Sequence, residues 1–135
     1  MLENSFGGSG YDIACAHNDE PITYQKVNGK VSVEQVVYKP SFADHIYFVY
    51  LNQKRDSKDA IANFRKKQKD LTHEIAEVSK MTEQLLQIDD LNEFISFFKT
   101  YEANLSKVLE VPTIQQQLFS DFNGLIKSLG GWGGD

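Results

Sequence analysis

The sequence predicts an α+β fold, a small antiparallel sheet packed with a bundle of about four helices. Three observations predict it. Asn28-Gly29 separates two runs rich in β-branched and aromatic residues, which is the strongest short-range hairpin signal. Ile46-Tyr47-Phe48-Val49-Tyr50-Leu51 is apolar or aromatic at every position, the pattern of a strand covered on both faces. Beyond it, apolar residues recur at helical spacing as far as Leu129. The 135 residues suffice for one domain with a core. Its expected layout is a glycine loop and strands over about 1–55, helices over about 56–129 and a terminal glycine loop over 130–135.

The elements follow in chain order. Ala14-Cys15-Ala16 either starts a short helix or packs beneath the preceding glycine loop. Asn18-Asp19-Glu20-Pro21 is a turn, since proline disfavours helix in the residue before it. Ile22–Val27 is the first strand, and Lys30–Val37 returns from the hairpin. The valines there change from odd to even positions near Glu34-Gln35, which suggests a bulge or bend. Pro40 breaks the pattern ahead of a central strand, His45–Leu51. Asp56 or Ser57 caps a first helix through Ala60, Ile61 and Phe64. A second helix runs from about Asp70 to Gln87, with Leu71, Ile75, Val78, Met81 and Leu85 on its inner face. Asp90-Leu91-Asn92-Glu93 has capping-box form. It opens a third helix with the stripe Leu91, Phe94, Ile95, Phe98, Tyr101, Leu105, Val108 and Leu109. Pro112 suits the first turn of a fourth helix that carries Ile114, Leu118, Phe119, Phe122, Leu125, Ile126 and Leu129 and stops at Gly130.

Composition narrows the function classes. A net charge of −5 gives no electrostatic case for nucleic acid or an anionic membrane. One cysteine, Cys15, precludes an internal disulfide and makes a reducing cytoplasm the simplest home; beside the loop it reads as a small buried residue. His17, His45 and His73 lack metal-ligand spacing, so no metal site is expected from the residues themselves. The start of the chain has neither the basic nor the apolar character of a signal peptide.

Two glycine-rich stretches carry the candidate chemistry. The first is Gly7-Gly8-Ser9-Gly10-Tyr11-Asp12, which sets a carboxylate at the end of a loop that a ligand can approach closely. Asp12 is the candidate catalytic group; the plainer alternative is that it caps the short helix after it. The second is Gly130-Gly131-Trp132-Gly133-Gly134-Asp135, where Gly130, Gly131, Gly133 and Gly134 are candidates to lay backbone donors against a phosphate or substrate. A helix C-cap with a tail is the alternative there. Ser9 and Gly10, with Lys54, Arg55 and Ser57 after the central strand, are candidate substrate contacts, a cationic side chain being suited to a carboxylate or phosphate.

Ser9-Gly10-Tyr11-Asp12 resembles the catalytic-aspartate segment of the GHMP kinases, and Gly8–Ala14 looks most like the mevalonate and phosphomevalonate kinase branch. The terminal Gly-Gly-Trp-Gly-Gly-Asp is similar to that family's third motif, with Trp132 interrupting its usual small residues. The resemblance covers the back half of such a kinase. It implies phosphoryl transfer from ATP, with Mg²⁺, to a small-molecule hydroxyl, with Asp12 as base or orienter. It places Lys54, Arg55 and Ser57 beside the acceptor, and the terminal loop beside nucleotide and substrate. The family's Pro-x-x-x-Gly-Leu-Gly-Ser-Ser-Ala phosphate loop does not occur in this sequence. The expectation is therefore a C-terminal portion that is inactive alone, needs the N-terminal part of the kinase as partner, and has an open sheet edge that favours a homodimer. The alternative is a non-catalytic helical ligand-binding or protein-interaction domain.

Overall fold

The computed structural model describes residues 9–52, 64 and 70–129. It has an α+β layout, with one two-stranded antiparallel sheet and four helices among the described residues. The chain divides into two compact units, Met1–Lys39 and Pro40–Asp135. The expected first helix of the bundle lies outside the described residues, apart from Phe64, which is helical.

In the first unit, α1 (Tyr11–Ala16) precedes the hairpin of β1 (Ile22–Val27) and β2 (Lys30–Gln35). The hairpin forms for the expected reason. Asn28 and Gly29 both have positive φ, 50° and 78°, as a two-residue turn matching the strand twist requires. The register pairs Val27 with Lys30 and continues without interruption to Ile22 with Gln35. Of the bulge or bend expected near Glu34-Gln35, no bulge interrupts the ladder, which ends at Gln35. Val36 N–H still reaches the Pro21 carbonyl at 2.9 Å, and Val37 lies outside the strand. Ile22, Tyr24, Val31 and Val33 share one face by this register, while Thr23, Gln25, Ser32 and Glu34 share the other. Cys15 is exposed rather than buried, since the six-residue α1 buries no side chain.

In the second unit, a single 3-10 turn (Ala43–His45) precedes α2 (Thr72–Leu85), α3 (Leu91–Leu109) and α4 (Ile114–Leu118). The side-chain carboxylate of Asp90 caps α3 by accepting from Glu93 N–H at 2.9 Å. At the other end Glu110 turns left-handed (φ 57°), and Val111 N–H bonds the Ser106 carbonyl at 3.2 Å. The apolar stripe of α3 faces the core as expected. Phe98 is buried, and its ring meets Phe94 at 4.7 Å, Phe97 at 5.2 Å and Tyr101 at 5.8 Å between centroids. Phe42 adds a further ring 4.7 Å from Phe94. Phe42, Ile88, Phe98 and Ile114 form the buried apolar centre. Ser41 holds the preceding loop in place by donating from its N–H and its hydroxyl to Asp89, at 2.6 and 3.0 Å.

Three expectations for this unit are corrected. His45–Leu51 is not a strand. Only His45 belongs to the 3-10 turn, and Tyr47 to Tyr50 are exposed, because no neighbouring strand among the described residues covers them. Ile75 also faces outward, leaving Leu71, Val78, Met81 and Leu85 as the half-buried side of α2. The fourth helix stops at Leu118 instead of Leu129. Thr113, not a residue before Pro112, is its N-cap. It exchanges bonds with Gln116 in a complete capping box, and Pro112 stands one residue outside. The chain then turns back, because the Gln115 amide substitutes for helical partners. It donates to the carbonyls of Phe122 and Gly124, both at 3.2 Å, and accepts from Ile126 N–H at 3.0 Å. Phe122 is thereby left half exposed instead of joining the core.

No helix among the described residues is long and apolar enough to cross a membrane.

Candidate functional site

The glycine loop and its aspartate sit in the first unit. Gly10 is the N-cap of α1 with φ 84°, a left-handed position that suits glycine. Ser9 Oγ accepts from Tyr11 N–H at 3.4 Å, a long bond. Tyr24, on β1, donates its hydroxyl to the Ser9 carbonyl, tying the loop to the hairpin. Asp12 follows in the first turn of α1, exposed. It does not cap the helix, because Gly10 holds the cap position and the Asp12 side chain accepts from none of the free N–H groups there. Among the described residues no hydrogen bond or ion pair engages the Asp12 carboxylate. Ser9, Gly10 and Asp12 are thus brought together in one short segment. Lys54, Arg55 and Ser57 lie outside the described residues, as do Gly130, Gly131, Gly133 and Gly134.

The second unit holds a feature that the sequence reasoning missed. A cavity of about 790 Å³ opens between Phe94 and Phe98 of α3 and the segment containing Phe119, Phe122 and Leu125. Its wall is overwhelmingly apolar, with Lys127 the principal charged side chain on it. Lys127 Nζ lies 5.6 Å from the Phe98 ring centre and 5.5 Å from that of Tyr101, in cation–π range of both. It donates to the Ser128 carbonyl at 2.9 Å and stands 4.0 Å from Glu102 Oε1.

Glu102 is only 3% exposed, and neither carboxylate oxygen has a partner in hydrogen-bond geometry among the described residues. Burial raises its pKa above the ordinary carboxylate value. The Lys127 ammonium and the Ser128 backbone N–H, which faces the group, oppose that rise. The same burial lowers the pKa of Lys127, with Glu102 acting in the opposite sense. The Tyr101 hydroxyl is pushed up by burial and by the neighbouring Glu102 charge. The signal for Glu102 is its spacing. It lies four residues after Phe98 and three before Leu105, inside the apolar stripe of α3 rather than opposite it.

No group of three or more His, Cys, Asp or Glu side chains among the described residues is arranged to hold a metal ion. No protein-family model, curated protein or solved structure matches the chain.

Proposed function

We propose that this chain is part of an ATP-dependent small-molecule kinase of the GHMP type, in which Asp12 acts on the acceptor hydroxyl. The observation that carries this reading is the state of Asp12. Its carboxylate follows a left-handed glycine, is open to solvent and is engaged by no other side chain among the described residues. A carboxylate so placed is free to accept a hydroxyl proton or to orient the hydroxyl for in-line transfer. Lys54 and Arg55 are assigned to the charge of an anionic acceptor, and the glycines at 130–134 to nucleotide and substrate. The described residues do not by themselves fit a Mg²⁺–nucleotide group, as they provide neither a carboxylate cluster nor a glycine loop opening a long helix. On this reading the described residues serve the acceptor side, and another stretch of polypeptide supplies the phosphate loop. A cytoplasmic setting fits the single, exposed Cys15.

The test is Asp12→Asn in the full polypeptide that carries this sequence, assayed with ATP and small alcohols of the mevalonate class. The expected result is a fall in kcat of about 100-fold or more with ATP affinity unchanged. Unchanged turnover removes Asp12 from the chemistry, and no phosphorylation of any alcohol by the unmodified protein removes the kinase reading.

A second reading is favoured by the apolar cavity of about 790 Å³, a size that accommodates a drug-sized ligand. On it the second unit is a ligand-binding or interaction domain without catalysis. Saturable binding of an apolar fluorescent probe, indifferent to nucleotide and to Asp12→Asn, would support it over the kinase.

A further inference from the structure

We infer that the apolar cavity of the second unit takes a small monocarboxylic acid with a hydrocarbon or aryl tail, its carboxylate held by Lys127. The inference rests on the second reading, that of the cavity as a ligand site, and is independent of the kinase reading. The tail follows from the wall. Phe94 and Phe98 of α3 line it, with Phe119 and Phe122 from the segment after α4 and Phe48 from the stretch after the 3-10 turn. Phe48 is 85% exposed and Phe122 51%, so rings on the wall keep apolar area that an occupant removes from water. A cavity of about 790 Å³ has room for an acid of this kind.

The head follows from charge. No aspartate or glutamate among the described residues lines the cavity. Lys127 and His45, which do line it, are both cationic when charged. An apolar wall with one lysine suits an apolar body that carries one negative charge.

Lys127 has donors to offer. An ammonium carries three N–H groups. One goes to the Ser128 carbonyl at 2.9 Å. Glu102 Oε1, at 4.0 Å, is beyond hydrogen-bond reach, so among the described residues no acceptor engages the other two. The two oxygens of a carboxylate match them. The Lys127 side chain keeps 31% of its exposure, which leaves it open to an incoming group. Its Nζ lies 5.6 Å from the centre of the Phe98 ring, a wall residue, and this sets the charge beside the space for the tail. Glu102 is the competitor. It does not line the cavity, yet its charge draws on the same ammonium that the ligand would use.

The test compares decanoate with 1-decanol, which share a tail and differ in the head. Each displaces a neutral apolar fluorescent probe from the purified chain at pH 7. Decanoate should bind about tenfold more tightly or better, the contribution of a charge-assisted hydrogen bond. Lys127→Met should abolish that preference by weakening decanoate alone. Glu102→Gln should strengthen decanoate about threefold and leave decanol unchanged, a gain that a folding defect cannot mimic. Phe48→Ser, at an exposed ring, should weaken both compounds alike, because it removes wall area only. Equal affinities for the two compounds, or a preference for decanoate that neither Lys127→Met nor Glu102→Gln alters, would overturn the inference while leaving an apolar ligand site standing. Displacement by neither compound would remove that reading of the cavity and the inference with it.

Discussion

Lys127→Met removes one charge and keeps most of the side chain, which makes it the sharpest probe of the buried carboxylate. Glu102 is nearly inaccessible, and Lys127 is the cation that faces it, at 4.0 Å. Breaking a buried ion pair from one side costs about 3–5 kcal/mol, because the remaining charge stays in a poor solvent. Lys127 retains 31% of its side-chain exposure, so the low end applies, about 3 kcal/mol at pH 7. Roughly 1 kcal/mol of that is cation–π contact with Phe98 and Tyr101, which does not depend on the charge of Glu102. About 2 kcal/mol is then the share that depends on an ionised Glu102.

That division predicts a pH signature. Burial raises the folded-state pKa of Glu102 above the ordinary carboxyl value. A raised carboxyl contributes stability that is fully present below the unfolded pKa and is lost as pH rises through the folded one. Near pH 4 the group is therefore neutral in the folded protein, and Lys127 has no anion to balance. Taking about 2 kcal/mol per molar urea, Lys127→Met should lower the unfolding midpoint by about 1.5 M at pH 7 and only about 0.5 M near pH 4. Glu102→Gln, which cannot ionise, should flatten the pH dependence and make Lys127→Met cost the same at both pH values. An equal loss at both pH values in the Glu102 protein, or no loss at pH 7, would refute the assignment of Lys127 as the balancing charge.

Two further perturbations test the local geometry. Gln115→Ala removes two donated bonds and one accepted bond, so it should cost about 2 kcal/mol and speed amide exchange at Ile126, readable by NMR. Gly29→Val should cost about 1–2 kcal/mol through its left-handed backbone alone, since a Cβ there meets nothing within 4 Å, and thermal unfolding of the chain would report it.

What was legible in the sequence was local. Asn28-Gly29 dictates its turn through two positive φ values, and no distant residue is needed to decide it. The α3 stripe repeats for five turns, long enough that one face must be covered whatever covers it. The expected fourth helix failed for an equally local reason that periodicity hides. Leu118, Phe119, Phe122, Leu125, Ile126 and Leu129 keep helical spacing, but Ser120, Asp121, Asn123 and Gly124 are turn formers between them, and Gln115 offers the chain a competing set of bonds. The candidate site was only partly legible: Gly10 does take the left-handed turn that its loop implied, while Asp12 proved to be a first-turn residue and not a cap.

Ile46–Leu51 marks the boundary of such reasoning. A run apolar at every position states that both faces want cover, and the exposed rings of Tyr47 and Phe48 repeat that demand in three dimensions. The pattern does not encode what provides the cover, because partners are set by register and shape, not by the hydrophobicity of one segment. Glu102 poses the converse case. A glutamate within an apolar stripe has a cost that burial alone makes unfavourable, so its position is informative even before a partner is known. Lys127 meets part of that cost at 4.0 Å, short of a hydrogen bond, and leaves the carboxylate dependent on its own proton at low pH. Stability of the second unit is thereby linked to the charge of one side chain, and the Lys127→Met and Glu102→Gln pair reads that linkage directly.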